Sequence, residues 1–162
     1  MALLFNLRHL GDEALHLKGE LPVEALELGG FDELIQARRP LSYDLEVQRL
    51  DQAVLVQGVL ELALDCECVR CLAPFEQTLR LQAWACHLPL AGEGKVLVTN
   101  DCVDLTPYIR EDIVLAFPQH PLCRPECGGL ASSQQKLEVE PGAAGEAAPA
   151  STAWAALDKL KL

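Results

Sequence analysis

The chain has 162 residues, half of them apolar, and carries 24 Asp and Glu against 13 Lys and Arg for a net charge of −11. No run approaches the roughly 20 apolar residues that span a bilayer, and the opening residues lack a basic leader, so neither a membrane span nor a signal peptide is expected. An acid excess of this size repels nucleic-acid phosphates at long range unless the bases cluster, and they do not obviously cluster.

Taken in chain order, Phe5 and Leu7, then Leu15 and Leu17, alternate with polar neighbours and predict two short strands. Pro22 suits the first turn of a short helix over residues 23–27 that Gly29 would end. Residues 31–39 fit helix or strand, and Pro40 closes them. Tyr43, Leu45 and Val47 then alternate with Asp44, Glu46 and Gln48, which predicts a strand with one wet face. Asp51-Gln52 reads as a turn. Val54, Val56, Leu60, Leu62 and Leu64 share one face of the next strand, opposite Gln57, Glu61 and Asp65, and Gly58 marks a bulge or bend in it. Phe75, Leu79, Leu81 and Ala83 form the apolar side of a third strand, opposite Glu76, Thr78, Arg80 and Gln82. The three read as an antiparallel meander, with residues 66–74 connecting the last two.

Gly92-Glu93-Gly94 predicts a turn and residues 95–99 a further strand. Residues 105–117 give the clearest helix. Asp104 or Thr106 can cap it, Pro107 fits its first turn, and Pro118 stops it. Leu105, Ile109, Ile113, Ala116 and Phe117 make its apolar stripe, with Glu111 and Asp112 outside. Residues 138–149 hold no bulky apolar side chain after Val139 and predict a flexible linker, whereas Trp154, Leu157 and Leu160 have helical spacing. The expected organisation is one α+β domain over 1–131, a linker over 132–151 and a short C-terminal helix over 152–162. The domain is expected to be a curved antiparallel sheet with one main packed helix.

Seven cysteines without a leader point to the reducing cytosol, where paired spacing more often means metal or redox chemistry than disulfides. Residues 66–90 hold four of the seven and are the one stretch without an acid excess. Cys68 and Cys71 form a C-x-x-C pair in a turn, a spacing that lets two thiolates reach one tetrahedral Zn2+. Cys123 and Cys127 form a C-x-x-x-C pair followed by two glycines that free the backbone to turn N–H groups toward a thiolate. Arg70 and Arg124 lie beside these pairs and offset surplus thiolate charge. The spacing leaves two readings open: an all-thiolate metal site, or reduced thiols that pack as small apolar groups. Cys66 and His120 are alternative ligands, while Cys86 and Cys102 read as core packers. A thioredoxin-type site is disfavoured, because there the C-x-x-C opens a helix whereas here it bridges two strands. No Ser/His/Asp order, Gly-rich phosphate loop or H-E-x-x-H occurs, so no enzyme is expected.

The run Cys68-Val-Arg70-Cys71-Leu72-Ala-Pro74-Phe75 resembles the C-x-R-C-L-x-P-F signature of the bacterial YceD family. A second landmark is similar: Leu105, Ile109, Glu111, Leu115, Phe117-Pro118, then Pro121-Leu122-Cys123 and Cys127-Gly-Gly129-Leu130. Trp154, Leu157 and Leu160-Lys161 look like the family's closing helix. The resemblance implies a non-enzymatic factor required for accumulation of large-subunit ribosomal RNA. It also implies Cys68, Cys71, Cys123 and Cys127 as candidate zinc ligands. Many members continue as G-L-C-P-x-C-G, whereas this chain reads Gly129-Leu130-Ala131-Ser132-Ser133-Gln134. Metal is therefore either absent here or held by the four cysteines that remain.

Two roles fit. In one, the protein assists large-subunit assembly, touching rRNA locally through Arg70, Arg80 and Arg124, with Arg38-Arg39 as a further candidate. In the other, it is an acidic, chaperone-like partner of a basic ribosomal protein, since opposite charge accelerates encounter.

Overall fold

The computed structural model describes residues 2–130 except 12 and 31. The expected linker over 132–151 and helix over 152–162 lie outside the described residues. The described fold is α+β, mostly antiparallel strands in a curled sheet with two helices. No described helix is long and apolar enough to cross a membrane.

The organising element is the long strand β5 (Ala53–Glu67). One of its edges pairs along almost its whole length with β6 (Pro74–Pro89). Its other edge is shared by β4 (Leu41–Arg49) near the start and β3 (Ile35–Ala37) near the end. β2 (Leu15–Leu21) extends this sheet on the far side of β4. The predicted meander is therefore β4, β5 and β6, all antiparallel. The ambiguous segment 31–39 yields the short strand β3. A second, three-stranded sheet joins β1 (Leu4–Asn6), β8 (Cys102–Asp104) and β7 (Val98–Thr99).

The period-two pattern puts Leu45, Val47, Val54, Val56, Leu60, Leu62 and Leu64 on one buried face. That face meets Ile109 and Ile113 of α2 (Thr106–Leu115), together with Leu26 of α1 (Val23–Leu26), in one core. The expected short helix is present, with Pro22 at its N-cap and not in its first turn, and Glu27, whose φ of 47° is left-handed, ends it ahead of Gly29. α2 carries Pro107 in its first turn. The Asp104 carboxylate accepts the Thr106 N–H at 2.9 Å, while the Thr106 hydroxyl accepts the Leu3 N–H instead of capping the helix.

At Gly58 the β4 backbone leaves no room for a side chain. A Cβ there would lie 2.8 Å from the Leu45 Cα and nearer still to the Asp44 carbonyl oxygen, and the φ of +154° is itself one that side chains disfavour. Opposite Gly58 the register slips: Gly58 faces Trp84 and Leu60 faces Leu81, so β6 carries one extra residue at Gln82–Ala83. The bulge exchanges faces. Ala83, expected on the apolar side, is exposed, and Trp84 is buried in its place.

Candidate metal centre

Two bends build the site. The first is the β5–β6 connection. The Cys68 N–H donates to the Ala73 carbonyl and the Leu72 N–H to the Cys68 carbonyl, curling the chain into a knuckle between the strands. Leu72 closes it with a φ of 58°, a left-handed conformation that glycine adopts freely and leucine only with strain. The second bend follows α2, where the Cys127 N–H donates to the Arg124 carbonyl.

Two contacts tie the bends together. The Val69 N–H donates to the Pro121 carbonyl at 3.0 Å. The Arg70 guanidinium donates to the Cys127 carbonyl at 2.9 Å. The four sulfurs consequently converge: Cys68 and Cys127 are 3.7 Å apart, Cys71 and Cys123 are 3.7 Å apart, and all four lie within 4.8 Å of one another. Cys68 and Cys127 are buried, while Cys71 and Cys123 are half-buried.

Backbone N–H groups turn onto the Cys68 sulfur, foremost that of Cys123, then those of Cys71 and Arg70. They outweigh burial and bring its thiol down to about 6. Burial, with the adjoining sulfurs of Cys71, Cys68 and Cys127, pushes Cys123 up to about 12. At Cys71 the Ala73 N–H favours the thiolate, but hydrogen bonding to Cys127 and Cys68, together with burial, leaves its pKa raised. Four sulfurs this close cannot all be anionic unless a cation joins them.

The donor set fits zinc. A tetrahedral ion with Zn–S near 2.3 Å separates its sulfurs by roughly 3.8 Å, which matches the two pairs at 3.7 Å. Cys68, Cys71, Cys123 and Cys127 are thus brought together as the spacing suggested. Cys66 is not among them. It packs in the hydrophobic core, and burial, with the charges of Asp65 and Asp32, raises its pKa. His120 is exposed and outside the cluster. Cys86 and Cys102, expected in the core, are only half-buried.

The candidate RNA-contact arginines are largely engaged. Arg70 spends a donor on the Cys127 carbonyl, and Arg80 pairs with Glu61 at 3.4 Å. Arg39 bridges Asp65 and Glu76, and Arg38 lies 3.8 Å from Asp65. Arg124 is exposed on the second bend. Sequence reasoning missed the Val69–Pro121 tie, because backbone hydrogen bonds between remote loops leave no residue pattern.

The chain matches the family model described as large ribosomal RNA subunit accumulation protein YceD over residues 56–161, more than half its length and inclusive of all four clustered cysteines. It is 30% identical over 118 residues to an uncharacterized protein of Mycobacterium leprae, covering 67% of this chain and 54% of the relative. An uncharacterized protein of Mycobacterium tuberculosis is 32% identical over 113 residues, covering 63% of this chain and 54% of the relative. The chain spans about half the length of the curated relatives it matches. No solved structure matches it.

Proposed function

This chain belongs to the YceD family, and from that premise we propose that it is a non-enzymatic factor in large ribosomal subunit biogenesis, needed for large-subunit rRNA to accumulate, with a structural zinc site in its cysteine cluster. The observation that carries the zinc reading is the convergence of four sulfurs from bends some fifty residues apart at tetrahedral-edge spacing. Cys68, Cys71, Cys123 and Cys127 hold the ion, and a bound zinc supplies a redox-inert cross-link between the two bends. Arg70 orients the second bend through the Cys127 carbonyl, and its charge offsets part of the thiolate surplus.

Elemental analysis of reduced, purified protein tests the site. The expected result is near one zinc per chain, lost when Cys68 and Cys71 are both replaced by Ser. Wild-type protein without metal overturns the zinc reading. Depletion of the protein in cells tests the role. Large-subunit rRNA should fall selectively and recover with the wild-type chain, and unchanged rRNA overturns the assignment.

A second reading concerns the partner. Arg8, Lys18, Arg38, Arg39 and Arg80 each stand in an ion pair with an acid, so among the described residues few cations are left for phosphate while surplus acids remain. That favours contact with a basic ribosomal protein over broad rRNA binding. Co-purification after nuclease treatment should retain a basic protein. Loss of every partner with the RNA overturns this reading.

A further inference from the structure

β6 runs for 16 residues but, among the described residues, pairs along one edge only, with β5. The direction of its backbone groups follows from one bond, the Cys68 N–H to the Ala73 carbonyl. Antiparallel pairing alternates from there: Phe75, Gln77, Leu79 and Leu81 turn their backbone groups toward β5, while Glu76, Thr78 and Arg80 turn theirs away. Among the described residues no strand takes up the outward groups.

Open edges recruit other strands unless blunted by lysine, an internal proline or charges of one sign. Residues 75–82 contain no lysine and no proline, and their two charges are opposite. Those charges are also symmetric, because Glu76 and Arg80 stand two residues to either side of Thr78. A two-fold axis through Thr78 sets Glu76 of each copy against Arg80 of the other. On the opposite face the same axis sets Phe75 against Leu81 and Gln77 against Leu79. It also sets Pro74, which lacks an N–H, against Gln82, where the bulge begins. The run is thus bounded at both ends by features that end a ladder.

We infer that residues 74–82 pair antiparallel with the same residues of a second copy of this chain, centred on Thr78, so that two sheets become one. Glu76 and Arg80 have side chains 65% and 54% exposed. Their present pairs, with Arg39 and Glu61, are surface pairs of small worth that exchange or share readily. This assembly does not depend on the ribosomal or zinc readings.

Sedimentation equilibrium of the full chain over about 1–200 µM tests it, and a concentration-dependent dimer is expected. Thr78→Pro removes an outward N–H that the β5 ladder does not use, and should give a monomer. Because proline can also disturb the strand itself, charge reversal supplies a second reading. Arg80→Glu sets Glu against Glu twice and should weaken the dimer roughly ten-fold, and adding Glu76→Arg should restore it. A wild type that is monomeric throughout overturns the inference. So does a dimer insensitive to Arg80→Glu, or one that the double reversal fails to recover.

Discussion

The indole N–H of Trp84 donates to the Asp112 carboxylate at 2.6 Å, joining β6 to the middle of α2. The bulge at Gln82–Ala83 makes this possible, because without the extra residue Trp84 would face solvent and Ala83 the core. Trp84→Phe keeps most of the ring packing but leaves a half-buried carboxylate without its donor. The expected loss is about 1.5–3 kcal/mol of stability, read from the urea midpoint. Asp112→Asn retains an acceptor and should lose less.

Gly58 is the most confined of the described glycines, since a side chain there meets the β4 backbone and not the flexible end of another residue. Gly58→Ala should lower stability by about 2–3 kcal/mol, from the disfavoured φ and the forced separation of β4 from β5. Thermal unfolding checks this. A change within a few tenths of a kcal/mol would mean that the strands part without penalty.

Leu72 gives the opposite sign. Its left-handed φ strains an exposed side chain, so Leu72→Gly should leave the knuckle equally or more stable, by up to about 1 kcal/mol. Leu72→Val, branched at Cβ, should lower stability by about 1 kcal/mol. The two melting temperatures should therefore move apart in that order.

Arg70 links the bends without supplying a sulfur. If the cluster holds zinc as proposed, Arg70→Ala should leave the four cysteines in place yet weaken zinc retention by about ten-fold or more, as loss of outer-sphere support does elsewhere. Competition with a chromophoric chelator measures it, and unchanged affinity would show that the Val69–Pro121 bond alone suffices.

Cys86 makes a pH-dependent contribution. Burial, then the charge of Asp112, raises its thiol to about 11 from an ordinary value of 9.0. The unfolded chain therefore loses this proton first. The contribution is fully present below pH 9 and disappears as pH rises toward 11. Cys86→Ser should flatten that alkaline loss relative to wild type in unfolding measured at pH 8, 9, 10 and 11.

The strands of the meander were legible because Tyr43–Val47 and Val54–Leu64 follow period two, broken in the second only at Gly58, and α2 because Pro107 and Pro118 bracket an apolar stripe. The face exchange after Gln82 was not, since a bulge is a relation between two strands and Ala83-Trp84 continues either pattern. β8 was also missed. Its turn uses Asn100 and Asp101, both at positive φ, in place of the Asn-Gly that announces a two-residue hairpin. At the site, spacing nominated the four cysteines, but only the fold could bring Cys68 beside Cys127. It also separated Cys66, two residues from Cys68, into the core.

Cys71 and Cys123 are 52 positions apart, and the chain between them contains β6, β7, β8 and α2. A bond between the two cysteine pairs therefore closes a ring around about two-fifths of the described residues, restricting the freedom of the unfolded chain at a distance from the sulfurs themselves. Opening that ring should be felt first as faster amide exchange along α2 and β8, while β2 and β4, which lie outside the loop, keep their protection.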